Sequence, residues 1–257
     1  MEITIENIEF YLLILIRISA FIYTAPIFSL KSIPVKVKAA LSVFLTMVVG
    51  PLITYEPLSY TTVYGFAGLV LKEFLVGLLV GYVAAICTSI ITFAGQILDQ
   101  EIGYSMANMF DPINMQQVTV TSNLLHYLVL LVLLCTNMHY YLLRAIISTY
   151  TLVPIGKAQF SINMYNIIVK FMTDMFVIGF RIVLPIFASI LIVNTVLAIL
   201  AKVAPQMNMF VIGFQLKIIV GLLVLLVIVS TLPTIGNFIF EEMKDMLELI
   251  IKSLAGS

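Results

Sequence analysis

The sequence predicts an all-α, polytopic membrane-associated protein made of kinked helical hairpins, with at least six apolar segments. Three observations carry that prediction. Of the 257 residues, 62% are apolar and 10% charged, against about 45–50% and about 25% in a typical soluble domain. The apolar residues gather into six runs, and a membrane core of ~30 Å needs ~20 helical residues at ~1.5 Å each. The runs are unequal, two of them too long for one straight crossing. The 13 basic and 13 acidic side chains cancel, so no long-range field exists to draw in nucleic acid.

Taken in order, the chain opens on MEITIENIEF, which carries Glu2, Glu6 and Glu9 and no Lys or Arg. A secretory signal needs a basic start, so no cleavage is expected. Residues 10–25 and 39–53 form the first two runs, 16 and 15 residues long and short for lipid. Residues 63–95 and 163–204 have 33 and 42 residues. Pro185 can break the longer one, and the Lys72-Glu73 pair marks the expected bend or polar level in the other. Runs at 124–150 and 210–234 complete the six. Such mismatch has a cost in a bilayer, so packing against partner proteins suits these lengths better.

The linkers differ in kind. Residues 29–38 (SLKSIPVKVK) are basic through Lys31, Lys36 and Lys38, which by the positive-inside rule face the cytoplasm. Residues 96–123 carry Asp99, Glu101 and Asp111 and no basic residue. Residues 1–236 are therefore read as the hairpin domain, and 237–257 as a C-terminal amphipathic helix. There Phe240, Met243, Leu247, Ile250 and Leu254 step by three and four into one stripe, with Lys244, Glu248 and Lys252 outside it. Four acids against two lysines make it a poor binder of anionic lipid, so a protein groove is its expected partner.

Enzyme signatures are absent: the sequence has no HExxH, GxxxxGK[ST] or GxSxG. His126 and His139 lack a second ligand at helical spacing, and Cys87 and Cys135 lie in apolar runs as small packing residues. No catalytic residue, cofactor or metal is expected. Charges inside the apolar runs are more informative, because an ionisable group in hydrocarbon is expensive and faces a partner or water. Arg17, Lys72, Glu73, Asp174 and Arg181 form this set, and Lys170 stands at i,i+4 from Asp174 with Arg181 two turns beyond. Lys72 and Glu73 are adjacent, point about 100° apart, and each needs a partner elsewhere. Structural ion pairing is one reading, a proton relay the other; relays want serial carboxylates. The long linker is a further candidate. Gly103, Tyr104, Ser105, Met106, Met109 and Phe110, followed by Asp111-Pro112, combine freedom, adaptable apolar bulk and a stiff end. Such a segment suits either a deformable seal lined by protein or a surface loop.

Several stretches together resemble the FliR family of flagellar biosynthetic proteins and its counterpart in virulence type III secretion. They are RISAFIYTAPIFSLKSIPVKVKAAL from Arg17, KEFLVGLLVGYV from Lys72, AGQILDQEIGYSMANMFDP from Ala94 and LAILAKVAPQMNMFVIGFQLKIIVGL from Leu197. The last contains the PQxNxFxxGxxxK pattern at Pro205, Gln206, Asn208, Phe210, Gly213 and Lys217. The sequence departs from the family at Lys202, usually arginine, and in TNMH, where a glycine is usual. The resemblance implies a non-enzymatic subunit of the type III export gate in the bacterial inner membrane, at the flagellar basal body. It implies a channel formed with FliP and FliQ homologues, FlhB and FlhA homologues as neighbours, and unfolded flagellar proteins as cargo. It places the segment from Gly103 to Phe110 in the closed channel as a plug. The rival from another class is a secondary transporter or ion-channel subunit, which predicts internal repeats; none is visible in the sequence.

Overall fold

The computed structural model describes residues 5–54, 60, 62–103, 119–160, 162–206 and 208–256. Helices account for nearly all of them, and no strand occurs among the described residues. The order is α1 (Ile5–Thr24), α2 (Val35–Val49, continued by a 3-10 turn at Gly50–Leu52), α3 (Val63–Ile102), α4 (Val120–Cys135), α5 (Met138–Leu152), α6 (Ile162–Val203) and α7 (Met209–Ala255). Among the described residues, five helical stretches are long and apolar enough to cross a membrane, and α4 with α5 adds a sixth if the bent pair is taken as one span.

Three boundaries differ from the sequence reading. The third run is not interrupted at Lys72-Glu73: α3 continues through them for 40 residues, about 60 Å of helical rise. Pro185 does not divide α6, and Pro233 likewise lies inside α7. Proline's fixed φ is itself helical, so its cost is confined to one lost hydrogen bond and a local clash, ~3 kcal/mol, which long uninterrupted flanks can absorb. The fourth run breaks instead at Asn137, which takes a left-handed φ of 57° ahead of α5. Asparagine tolerates that conformation because its short polar side chain can bond locally.

The described chain forms two compact units. Unit 1 comprises Met1–Cys87, Leu134–Met172 and Phe240–Ser257; unit 2 comprises Thr88–Leu133 and Thr173–Ile239. The chain changes unit inside α3, α4, α6 and α7.

In unit 1, Leu13, Ile14, Ile18, Phe21 and Ile22 of α1 are buried with Val76, Val80 and Ala84 of α3 and Leu142 and Ile146 of α5. Gly77 and Gly81 let α1 and α3 touch through their backbones. A Cβ at Gly77 would overlap the Arg17 carbonyl oxygen, and one at Gly81 would overlap Thr24 Oγ1. This is the small-xxx-small geometry of close helix pairs in membranes. The C-terminal stripe is covered as well. Met243, Leu247, Ile250 and Leu254 have no exposed surface, and the Gln159 amide donates to the Leu254 carbonyl at 3.0 Å. The expected groove is thus supplied by the chain itself, at the end of a helix with no break at residue 237.

In unit 2, α6 buries one stripe, Met175, Val183, Ile186, Ile190 and Val193, while Phe176, Phe180, Leu184, Phe187 and Leu191 stand exposed. Phe93 of α3 packs on Phe176 and Phe180 with ring centroids 5.0 and 5.9 Å away. Large apolar side chains exposed in such number along a helix belong in a protein interface or a membrane. The thiols also differ, Cys87 being buried and Cys135 exposed, so Cys135 is not the packing residue the sequence suggested; it ends α4, where the apolar run breaks.

The buried stripe makes a stability prediction. Leu247→Ala and Ile250→Ala should each destabilise unit 1 by about 2–5 kcal/mol through lost burial and a cavity, read as a lower unfolding midpoint in detergent. Leu249→Ala, on the exposed side of the same helix, should leave the midpoint within error of the parent.

Candidate functional site

The most constrained chemistry in unit 1 lies where α1, α3 and the α5–α6 linker meet. Arg17 and Glu73 both have 0% side-chain exposure, and Arg17 Nε donates to Glu73 Oε2 at 2.6 Å. Arg17 Nη1 donates to Thr149 Oγ1 at 3.0 Å and to the Val153 carbonyl at 3.2 Å. The guanidinium carbon lies 4.3 Å from the centroid of the Tyr150 ring, whose hydroxyl donates to the Ile14 carbonyl at 3.2 Å. Glu73 Oε1 accepts the Gly156 amide at 2.8 Å, at a glycine whose φ of 80° suits no larger residue well. Lys72, the neighbour of Glu73, is half-buried and its Nζ reaches the Gly156 carbonyl at 3.5 Å. Arg17 Nη2 is buried and has no hydrogen-bond partner among the described residues. Such an arrangement fastens helices together. It exposes no nucleophile, and among the described residues no cluster of His, Cys, Asp or Glu could hold a metal.

Of the six charges singled out in the sequence, the structure brings Arg17 and Glu73 together and turns Lys72 to the same linker. Lys170, Asp174 and Arg181 are exposed on α6, and none takes part in an ion pair among the described residues. Their helical spacing allows pairing, but at an exposed position the gain is ~0–1 kcal/mol against the entropy of two long side chains.

In unit 2 the segment expected to seal a channel begins at Gly103, which ends α3 with a φ of 95° and donates to the Asp99 carbonyl at 3.2 Å. Tyr104, Ser105, Met106, Met109 and Phe110 lie outside the described residues. The two flanks of that segment are tied to each other. The Asp99 carboxylate, 3% exposed, accepts the Thr121 amide at 3.0 Å and the Ser122 amide at 3.3 Å. These are orphan donors of the first turn of α4, and a carboxylate there also meets the positive end of the helix dipole. Ser122 Oγ donates to the Thr92 carbonyl at 2.9 Å, Thr92 Oγ1 lies 3.3 Å from His126 Nδ1, and Gly95 leaves room for the Ser122 backbone.

The PQxNxFxxGxxxK residues occupy the turn from α6 to α7 and the first turns of α7. Pro205, Gln206 and Asn208 are exposed, Phe210 is 64% exposed, Gly213 is buried against Leu197, and Lys217 is half-buried. The Asn208 carbonyl accepts the Val211 and Ile212 amides at 3.2 and 3.3 Å, opening α7.

Sequence reasoning missed Asp99 as a cap and Thr149, Tyr150 and Gly156 as partners of the ion pair. Nothing local marks the last three, which are one turn of helix and a linker distant in sequence from both charges. Gly77 and Gly81 did carry a signal in their four-residue spacing.

Among the described residues, seven helices, and five or six stretches long and apolar enough to cross a bilayer, define an all-helical polytopic membrane protein. The family described as "Bacterial export proteins, family 1" matches residues 8–243. The chain belongs to this family. Among similar proteins is the flagellar biosynthetic protein FliR of Bacillus subtilis (strain 168), 31% identical over 257 residues, covering 97% of this chain and 99% of that one. Those of Escherichia coli (strain K12) and Pectobacterium carotovorum are each 29% identical, over 93% and 94% of this chain and 92% of their own.

The ion pair yields a second prediction. Glu73→Gln should strand the Arg17 charge and cost about 3–5 kcal/mol, lowering the unfolding midpoint in detergent and the amount of protein in membranes. The double substitution Arg17→Met with Glu73→Leu should recover most of that loss, since both charges then disappear together.

Proposed function

We propose that this chain is a non-enzymatic subunit of the flagellar, type III protein export gate, and that with FliP and FliQ homologues it forms the channel through which unfolded flagellar subunits cross the inner membrane at the basal body. The observation that carries the reading is the end-to-end match to FliR proteins. The exposed apolar surface of α6 and α7 adds support, because the membrane windows of those helices are only 28% and 22% buried within the chain. Partner hairpins cover those faces. FlhB and FlhA homologues stand beside the gate on its cytoplasmic side.

Within that assembly three sets of residues have separate roles. The stretch from Gly103 to Phe110 is the movable seal, with Met106 and Met109 repacking around whatever passes. Asp99 holds its two flanks at a fixed separation. The turn carrying Pro205, Gln206, Asn208 and Phe210, with Gly213 and Lys217 behind it, is an assembly contact; its exposed aromatic is the kind of anchor that interfaces bury. Arg17, Lys72 and Glu73 are structural charges of unit 1 rather than a proton path, and Lys170, Asp174 and Arg181 meet their counter-charges on partner subunits.

Two measurements test this. Co-expression with FliP and FliQ homologues should convert a poorly behaved protein into one defined complex; an isolated chain that is equally stable and monodisperse would count against the gate. Deleting Tyr104 to Met109 should leave assembly intact and make the membrane leak ions or small solutes, and a deletion that assembles and leaks nothing refutes the seal.

A further inference from the structure

We propose that the cleft between α5 and the C-terminal turns of α7 docks a segment of another protein of the membrane assembly, one that presents an aspartate or glutamate to the Arg144 guanidinium. This goes beyond the export reading, which gives that face no role, and it does not depend on what the assembly transports.

The argument starts from a solitary charge. Arg144 is the only Lys, Arg, Asp or Glu between Asp111 and Lys157. It stands in the middle of α5, half of the bent pair that can serve as one span. Its side chain is exposed and takes part in no ion pair among the described residues. An ionisable group on so apolar a stretch calls for a counter-charge or for water. The acids at the end of α7 do not supply the charge. Glu248 lies 3.7 Å from Lys252 Nζ. Glu241 accepts from Lys244 Nζ at 2.6 Å, and that Nζ is itself 5.7 Å from the centroid of the Tyr141 ring. Asp245 is exposed and does not pair with Arg144 either.

The surroundings of Arg144 then select the occupant. Tyr141, Arg144, Ser148 and Leu152 step by three and four down one side of α5, and with Glu248 and Ile251 of α7 they line a cleft of about 380 Å³. A second cleft of the same volume shares Tyr141 and Arg144 with it and reaches Asn137 and Tyr140. The guanidinium thus stands in the wall of both. Water would serve Arg144 but not its neighbours, since Tyr140 is 58% and Leu152 50% exposed. Arginine and tyrosine are the anchors that interface centres favour, and a carboxylate is the group a guanidinium meets with two parallel hydrogen bonds. Leu152 and Ile251 suit an apolar side chain beside that acid. A lipid surface is a poorer occupant, because it brings anionic headgroups in an array against Glu241, Asp245 and Glu248. A polypeptide can set one carboxylate on Arg144 and turn neutral or basic groups to those acids.

Arg144→Lys keeps the charge and gives position 144 an amine, which a water-soluble carbodiimide joins to a carboxylate in salt-bridge contact. The full chain with this substitution and a tag is treated in native membranes, purified and mapped by mass spectrometry. Position 144 should be joined to an aspartate or glutamate of a co-purifying subunit, and replacing that acid by its amide should abolish the link. A bond only to Glu241, Asp245 or Glu248 of the same chain, a bond to lipid, or no bond at all overturns the proposal. Arg144→Glu gives a second, independent measurement. It should lower the amount of that subunit co-purified several-fold and leave the unfolding midpoint of the chain in detergent within error of the parent, because the native arginine has no partner inside the chain. Exchanging the subunit's acid for lysine should then restore the complex. Co-purification unaffected by Arg144→Glu, or a midpoint that falls with it, also overturns the proposal.

Discussion

An arginine and a glutamate with no access to water organise unit 1. In surroundings this apolar, neither charge can stay unpaired without a penalty of several kcal/mol, so the Arg17–Glu73 contact dictates where α1 and α3 stand. Its remaining hydrogen bonds reach Thr149, Val153 and Gly156 and draw in the end of α5 and the linker after it. That linker in turn receives the C-terminal turn of α7 through the Gln159 to Leu254 bond. Gly77 and Gly81 make the geometry possible, since any side chain there would hold α1 away and leave the charges out of reach of each other.

The outward faces carry a different kind of information. In a soluble protein the hydrophobic effect turns apolar faces inward. In α2 the polar Lys38, Ser42 and Thr46 are buried while Val43, Phe44 and Met47 are exposed, and α6 and α7 expose many large apolar residues along their lengths. Such surfaces are those of a membrane protein, whose exposed faces need not be polar. Among the described residues there are five or six candidate spans, and those of α3, α6 and α7 are far longer than one bilayer crossing needs.

Unit 2 treats its loop as unit 1 treats its charges. The Asp99 carboxylate closes the base of the segment that follows Gly103, satisfying amides that would otherwise be orphaned at a buried helix start. The Phe93 cluster and the close approach at Gly95 make that base stiff.

Composition and run length by themselves determined that this protein is helical and membrane-associated, because 62% apolar residues in long runs admit no soluble core. The motifs spread from Arg17 to Lys217 were enough to indicate the family, and the C-terminal stripe was legible because helical periodicity depends on nothing outside the helix. Partners were not legible. Whether a charge inside an apolar run pairs, and with what, depends on residues brought close by folding, as Thr149 and Gly156 are to Arg17 and Glu73. The same limit applies to breaks: Pro185 looked like a break between two helical halves and lies inside one helix, while a break fell at Asn137, because flanking packing decides whether a helix survives its weakest point. Tertiary structure alone turned Lys38 inward and made an apolar face of α2, and it seated the C-terminal stripe on the chain's own unit 1, since burial is a property of what lies opposite and not of the residue itself.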